Sequence, residues 1–428
     1  MPRRILRVVP DDLELVKKQL LHWAAGQEHG MFLDGNEGTT DAWTCLVAAG
    51  AHWVLERQAG TAFNALREAY DAFRGDWLFG FMCYDLKNET ERLHSGHSDS
   101  IGFPDMAFFQ PTTVAGIRGG ILEIQCLNDD DPDAVWQALK RLNPSDGNYC
   151  PPVRLQPRMT KAGYLERVDT IREHIAAGDL YEMNLCQEFF AEGVNINSVG
   201  VFERLNELSR APFATFLKWE NRYLLCGSPE RFLRKQGDRL ISQPIKGTRK
   251  RNLADPVADE TLRRSLIESE KDRAENVMIV DLVRNDLARN CLPGSVVVDE
   301  LFGIYSFPTV HQMISTVRGD LRPDAHPIDA LRDAFPMGSM TGAPKVMAME
   351  LIEKYELTRR GLYSGAVGYI DPDGNFDFNV VIRSILYNEK TGYVSVQVGG
   401  AIVYDSNPEE EYQECLLKAE AMRKSLKS

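Results

Sequence analysis

The 428-residue sequence has no run approaching the about eighteen apolar residues that a membrane span requires. No basic stretch is long enough to track a phosphate backbone, and a net charge of −13 argues equally against a nucleic-acid partner. The eight cysteines include no Cys-x-x-Cys pair, so they read as reduced packing residues rather than a disulfide framework or a metal knuckle. A phosphate-binding P-loop, a Gly-x-Gly-x-x-Gly turn after a strand, internal repeats and low-complexity tracts are all missing. The opening Met1-Pro-Arg-Arg-Ile-Leu-Arg-Val-Val-Pro10 is too broken by charge and proline to serve as a secretory signal, which leads us to expect a cytoplasmic protein with no membrane partner.

What remains is an ordinary globular composition, 43% hydrophobic and 26% charged, in a chain longer than one core usually supports. Two lobes or one intertwined α/β unit are expected. Residues 1–155 form a motif-poor portion in which Val47-Ala-Ala-Gly50 and Trp77 to Tyr84 read as buried strands around a helix near Gly60 to Phe73. Asn143 to Pro152 is the linker candidate. Residues 156–428 alternate long helices with strands. Helices are expected from Thr160, as cap, to Ala177 before Gly178; from Asp259 to Arg289, as one acidic helix; from Val346 to Tyr355; and after Asn407-Pro408.

The densest chemistry lies in Ser228-Pro-Glu-Arg-Phe-Leu233 and Gln243-Pro-Ile-Lys-Gly-Thr-Arg249, which flank the turn Gln236-Gly-Asp-Arg239 and read as a hairpin. Such a hairpin could bring Glu230 and Lys246 to facing positions. A lysine kept partly neutral is a nucleophile, and a carboxyl beside it can protonate a leaving group. An exposed Lys–Glu pair of little energetic worth has the same spacing. Lys246 is, however, wedged between Pro244 and Gly247, and the charges of Arg249, Lys250 and Arg251 are expected to push its amine toward neutrality.

Further along, Glu275 shares a helix face with Met278, Ile279 and Leu282, so its carboxylate is aimed inward and needs an arginine or a divalent cation. Glu411, Glu414 and Lys418 share a face of the last helix, which suits either an exposed ion pair or a ligand set. Two carboxylates completed by water and substrate is a common way to hold Mg²⁺. The turn Phe335 to Lys345 opens a helix with free N–H groups, which suits either an anion site or an ordinary capped helix start. Arg383, read as lying within an apolar strand, is expected to meet a carboxylate.

The Ser-Pro-Glu-Arg-Phe and Pro-Ile-Lys-Gly-Thr motifs, with Asp179-Leu-Tyr-Glu-Met-Asn-Leu185, Gly342-Ala-Pro-Lys345 and Gly399-Gly-Ala-Ile-Val403, resemble the chorismate-utilising component I family of aminodeoxychorismate and anthranilate synthases. The resemblance runs from about residue 160 to 425. It implies two sheets packed face to face with helices outside and the active site in the cleft between them. Relatives that make anthranilate usually carry Ala where Lys246 stands, so an aminodeoxychorismate-forming member is implied. In such a member Lys246 attacks C2 of chorismate, Glu230 protonates the departing C4 hydroxyl, and ammonia then enters at C4 on the way to folate. The resemblance also implies His311 near the ring; Thr341, Gly342, Tyr363, Arg383, Gly399, Gly400 and Lys418 around the substrate; and Glu275 with Glu414, or alternatively Glu411, on Mg²⁺.

Ala401 and Lys250 depart from the family's Gly and Pro, and Met31-Phe-Leu-Asp-Gly35 replaces a Leu-Leu-Glu-Ser-like stretch that lines a tryptophan effector pocket in some relatives. The chain has no Gly-x-Cys-x-Gly glutaminase elbow, so free ammonia or a separate glutamine amidotransferase subunit is implied. Competing readings are an anthranilate synthase component I, an isochorismate- or salicylate-forming relative, and a catalytically silent regulatory subunit of the same fold.

Overall fold

Strands of this chain bury both faces, and the computed structural model, which describes residues 3–36, 43–128, 130–144 and 152–427, shows why. In Phe213–Trp219 and Arg222–Ser228, Leu217, Trp219 and Leu224 enter one core while the alternate Phe216 and Leu225 enter another. This period of two is the pleat's own, and it splits the interior into two layers.

Every strand pairing among the described residues is antiparallel. One sheet runs Glu182–Ala191, Tyr393–Ile402, Ser384–Asn388, Arg222–Ser228, Phe213–Trp219, His29–Asp34, Cys45–Arg57, Met106–Arg118, Ile121–Leu127 and Arg3–Val8. The second leaves the first half of Met106–Arg118 and runs through Leu78–Met82, Ala366–Ile370, Phe376–Val380, Arg231–Gln236 and Arg239–Gln243 to Val310–Asp320, which also pairs with Ile245–Lys250 and Val297–Ser306. Aromatic rings fill the space between the sheets, as where Phe81 meets Trp219 edge-on at 5.5 Å between centroids. The second core lies beneath outer helices, with Phe202 against Phe32. The expected two face-packed sheets with helices outside are found.

Strands from before and after residue 155 pair with each other in both sheets, His29–Asp34 with Phe213–Trp219 and Leu78–Met82 with Ala366–Ile370, so the chain is interwoven. Of the linker candidate, residues 145–151 lie outside the described residues. The seven described cysteines are free and buried, and among the described residues no helix is long and apolar enough to cross a membrane.

The capping signals operate as read. Thr160 accepts from the Gly163 N–H to start Lys161–Ala177, and Gly178 ends that helix at φ +87°. Asn407 accepts from the Glu409 and Glu410 N–H groups to start Pro408–Lys418. The single acidic helix is corrected to two, Pro256–Glu268 and Glu270–Ala288, because extended Ser269 ends the first and its side chain accepts from the Asp272 N–H to start the second. In Met31–Gly35, Asp34 is already engaged by the Lys17 ammonium at 2.9 Å and by the Asn36 N–H and the Asn206 amide, beside a cavity of only about 70 Å³.

Candidate active site

The hairpin forms where it was expected: Arg231–Gln236 pairs with Arg239–Gln243 around Gly237, at φ +58°. Glu230 enters it and Lys246 leaves it one residue past Pro244-Ile245. Both are buried, at 5% and 9% exposure. Burial pushes the Glu230 carboxyl up to about 7, against the Ser339 side chain, the Lys246 ammonium and the Ile245 N–H, which favour its anion.

For Lys246 the balance goes the other way. Burial pulls its pKa down, but the Glu182 and Glu275 carboxylates, a hydrogen bond to Glu182 and the charge of Glu230 together raise it, so the resting group is an ammonium. This corrects the expectation of a lysine neutralised by neighbouring cations. Arg249 is bound to Asp272 at 2.7 Å, Arg251 to Asp259 at 2.8 Å, and Lys250 is exposed, so acids rather than cations surround the amine.

The nearest of those acids was not singled out from sequence. Glu182 Oε1 accepts from Lys246 Nζ at 2.6 Å. Glu182 sits at the start of Glu182–Ala191, pinned by Gly342–Ala343 through Tyr181 N–H to the Ala343 carbonyl and Asn184 N–H to the Thr341 carbonyl. Gly342 has φ +151°, and a Cβ there would lie 2.1 Å from the Glu182 carbonyl oxygen, so glycine lets the two segments touch. Thr341 is fully buried, its hydroxyl donating to the Met337 and Gly338 carbonyls. Both residues therefore build the wall behind Glu182. The only advance signal was an acid three residues beyond Asp179, where strand and turn meet.

Two helices bring further acids. Glu275, on Glu270–Ala288, is pushed up to about 7 by burial, relieved by Lys246 and aggravated by Glu182. On Pro408–Lys418, Glu411 Oε2, Glu414 Oε1 and Lys418 Nζ converge above Gly400, lying 3.2, 3.7 and 3.9 Å from where a Cβ would stand. Lys418 donates to the Gly399 carbonyl at 2.7 Å and to Glu414 at 2.6 Å, and its charge holds Glu414 below its ordinary pKa. Glu411 is buried, accepts from Ser406 at 2.8 Å, and is raised by burial and by the charge of Glu414. Lys271 Nζ lies between the helices, 4.0 Å from Glu275 and 3.7 Å from Glu411.

This donor set fits Mg²⁺. It is all carboxylate oxygen, and an ammonium already bridges acids of both helices. Among the described residues no three His, Cys, Asp or Glu side chains form a ready metal cage. A cation here would take carboxylates from the two helices and leave its other positions to water and substrate.

Arg383 does not lie within a strand, as the sequence suggested, but in the kink between Phe376–Val380 and Ser384–Asn388, at φ +54°. Its guanidinium is half-buried and pairs with no described carboxylate; burial lowers its pKa, opposed by Glu414 and Tyr363. Tyr363 is buried in the turn before Ala366–Ile370, its hydroxyl 3.5 Å from Cys186 Sγ. His311 is 2% exposed, with Nδ1 against Ser306 Oγ at 2.8 Å and Nε2 against Asp259 at 3.1 Å, so both ring nitrogens are engaged away from Lys246 and Glu230.

The hairpin, the pinned strand Glu182–Ala191 and the two acid-bearing helices thus enclose one buried amine among several carboxylates, with an unpaired guanidinium nearby. Residues 21–424 match the chorismate binding enzyme family. Among characterised relatives, aminodeoxychorismate synthase component 1 of Salmonella typhimurium is 40% identical over 80% of this chain and 74% of its own, and that of Escherichia coli 38% over 83% and 77%. The chloroplastic aminodeoxychorismate synthase of Arabidopsis thaliana is 43% identical over 80% of this chain and 39% of its own. Among solved structures, anthranilate synthase component I of Streptococcus pneumoniae superposes with a TM-score of 0.78 at 26% identity, covering 90% of this chain and 93% of its own. The menaquinone-specific isochorismate synthase of Escherichia coli reaches the same score at 18% identity, over 99% and 95%, and shares the fold. The chain belongs to the chorismate binding enzyme family.

Proposed function

We propose that the protein acts as component I of an aminodeoxychorismate synthase, converting chorismate and ammonia to 4-amino-4-deoxychorismate. The observation that carries this reading is the buried amine of Lys246 beside the Glu230 carboxyl, whose pKa of about 7 leaves much of it protonated at neutral pH. An acid poised there can donate to a leaving hydroxyl while a neighbouring amine attacks.

The Lys246 amine adds to C2 of the ring as the double bonds shift and the C4–O bond breaks. The proton of Glu230 departs with the hydroxyl as water. Ammonia then adds at C4, the double bonds shift back, and the C2–N bond breaks to return Lys246. Arg383 and Lys418 supply charge for the substrate carboxylates, and Gly399 and Gly400 let the backbone approach closely. Tyr363 packs beneath, and Thr341 and Gly342 hold the wall that fixes Glu182. Glu275 and Glu414 would hold Mg²⁺, whose positive charge would supply an anchor for the ring carboxylate. Ammonia comes free or from a glutamine amidotransferase subunit, and the product serves folate synthesis.

Incubation with chorismate, Mg²⁺ and ammonium followed by product analysis tests this reading. 4-Amino-4-deoxychorismate is expected, and a Lys246→Ala variant should make none. Anthranilate or isochorismate as the main product would overturn it, and a chain that leaves chorismate untouched would be a silent subunit.

A further inference from the structure

The scheme above needs Lys246 as a free amine, yet its resting state is an ammonium, and it assigns no group to take that proton. Glu230 cannot take it, because the same carboxyl has to be protonated to serve as the donor. Glu275 is the acid that the proposed function assigns, with Glu414, to holding a cation. What touches the ammonium is Glu182, at 2.6 Å, with side-chain exposures of 9% for the lysine and 1% for the glutamate. No other described acceptor hydrogen-bonds to Nζ. The second oxygen of Glu182 is buried without a partner, and the carboxylate's backbone is clamped against Gly342–Ala343. Few ion pairs this deep are left so incompletely satisfied.

We propose that Glu182 is the proton acceptor that converts Lys246 from ammonium to nucleophilic amine, an inference that rests on the reading of Lys246 as the nucleophile. One proton moves from Nζ to the Glu182 carboxylate, giving a neutral amine and a neutral acid. The amine then forms the C2–N bond, the C4–O bond breaks, and Glu230 becomes a carboxylate as water leaves. The new secondary ammonium and the Glu230 carboxylate keep the net charge unchanged. When ammonia has entered at C4 and the C2–N bond breaks, Lys246 departs as an amine, recovers its proton from Glu182, and the C4 ammonium can return one to Glu230. Two carboxyls flank the lysine and divide the work of acid and base, Glu230 as donor and Glu182 as acceptor. Besides Glu182, the groups that face this amine are Glu230 before Arg231–Gln236 and Glu275 and Glu414 on the two helices.

The test follows the mass of the intact protein, quenched at intervals after mixing with chorismate and Mg²⁺ without ammonia. Glu182→Gln keeps the size and an acceptor oxygen but cannot hold the proton. We expect adduct formation to slow about 100-fold at neutral pH while chorismate affinity stays within about threefold. Glu182→Ala should be slow as well, and added formate, unlike chloride at equal ionic strength, should restore its rate. A Glu182→Gln rate equal to or above wild type overturns the proposal, because removing the counter-ion would then merely free the amine; so does a slow Glu182→Ala that ignores formate. If the wild type consumes chorismate without any adduct, the reading of Lys246 itself fails. An adduct in wild type with an unimpaired Glu182→Gln removes only the role of Glu182.

Discussion

Glu230 and Lys246 favour each other's charged forms at the end of one hairpin, and burial still leaves the Glu230 carboxyl titrating at about 7. An acid half protonated beside a charged amine is costly to keep in a fold. That cost gives the site measurable signatures.

The first is in stability. Glu230 and Glu275 are both raised from 4.5 to about 7, so between those values the folded chain holds more protons than the unfolded one. Stability therefore falls as pH rises through that window, by on the order of 3 kcal/mol for each group before their coupling is considered. Glu230→Gln should melt at a higher temperature than wild type well above pH 7, and the difference should vanish near the pKa of an unfolded glutamate. Thermal melts across this range check both the sign and the window.

The second is in rate. In the proposed reaction the Glu230 proton leaves with the hydroxyl, so kcat/KM for chorismate should decline as pH rises through about 7. Glu230→Gln should lose a factor of about 100 to 10,000 in turnover with little change in substrate affinity. A pH–rate profile that stays flat through neutrality would remove Glu230 as the donor.

Truncating the lysine strands its partner. Lys246→Ala leaves Glu182 buried without a counter-ion, and a loss of about 3–5 kcal/mol in urea denaturation is expected. The double variant Lys246→Ala with Glu182→Gln should recover most of that stability and none of the activity.

Arg383 offers the opposite trade. Its guanidinium pairs with no described acid, so Arg383→Met should leave the free protein as stable or more so. If the guanidinium grips a substrate carboxylate, the same change should raise KM by about 10- to 100-fold, the worth of a charge-assisted hydrogen bond.

The proposed Mg²⁺ site makes opposite predictions for the two acids of the last helix. A chelator should abolish turnover, and Glu275→Gln or Glu414→Gln should raise the half-saturating Mg²⁺ concentration at least about tenfold. Glu411→Gln should instead disturb mainly the Ser406 contact and stability, because that carboxylate is buried and already bound.

Much of this was legible in the sequence because it is local. The Gly237 turn set the hairpin, the Thr160, Asn407 and Pro408 signals set helix starts, and the spacing of Glu275 against Met278 and Leu282 gave its inward face. What escaped depends on distant partners. Nothing near Glu182 in the chain announces that a lysine 64 residues away will lie on it, and its burial follows from pairing with Gly342–Ala343. Lys246 was misjudged for the same reason: the cations beside it in sequence turn away to Asp272 and Asp259, while the acids that set its charge arrive from other strands and helices. The kink at Arg383 and the break at Ser269 each hinge on the backbone of one residue within an otherwise regular pattern.

The most direct test is peptide mapping by mass spectrometry after the protein has met chorismate and Mg²⁺ with ammonia withheld. The account predicts a ring adduct confined to the peptide that carries Lys246, discharged as 4-amino-4-deoxychorismate once ammonium is added. Chorismate consumed with that peptide unmodified at every time point, or an adduct that ammonium fails to discharge, would contradict it.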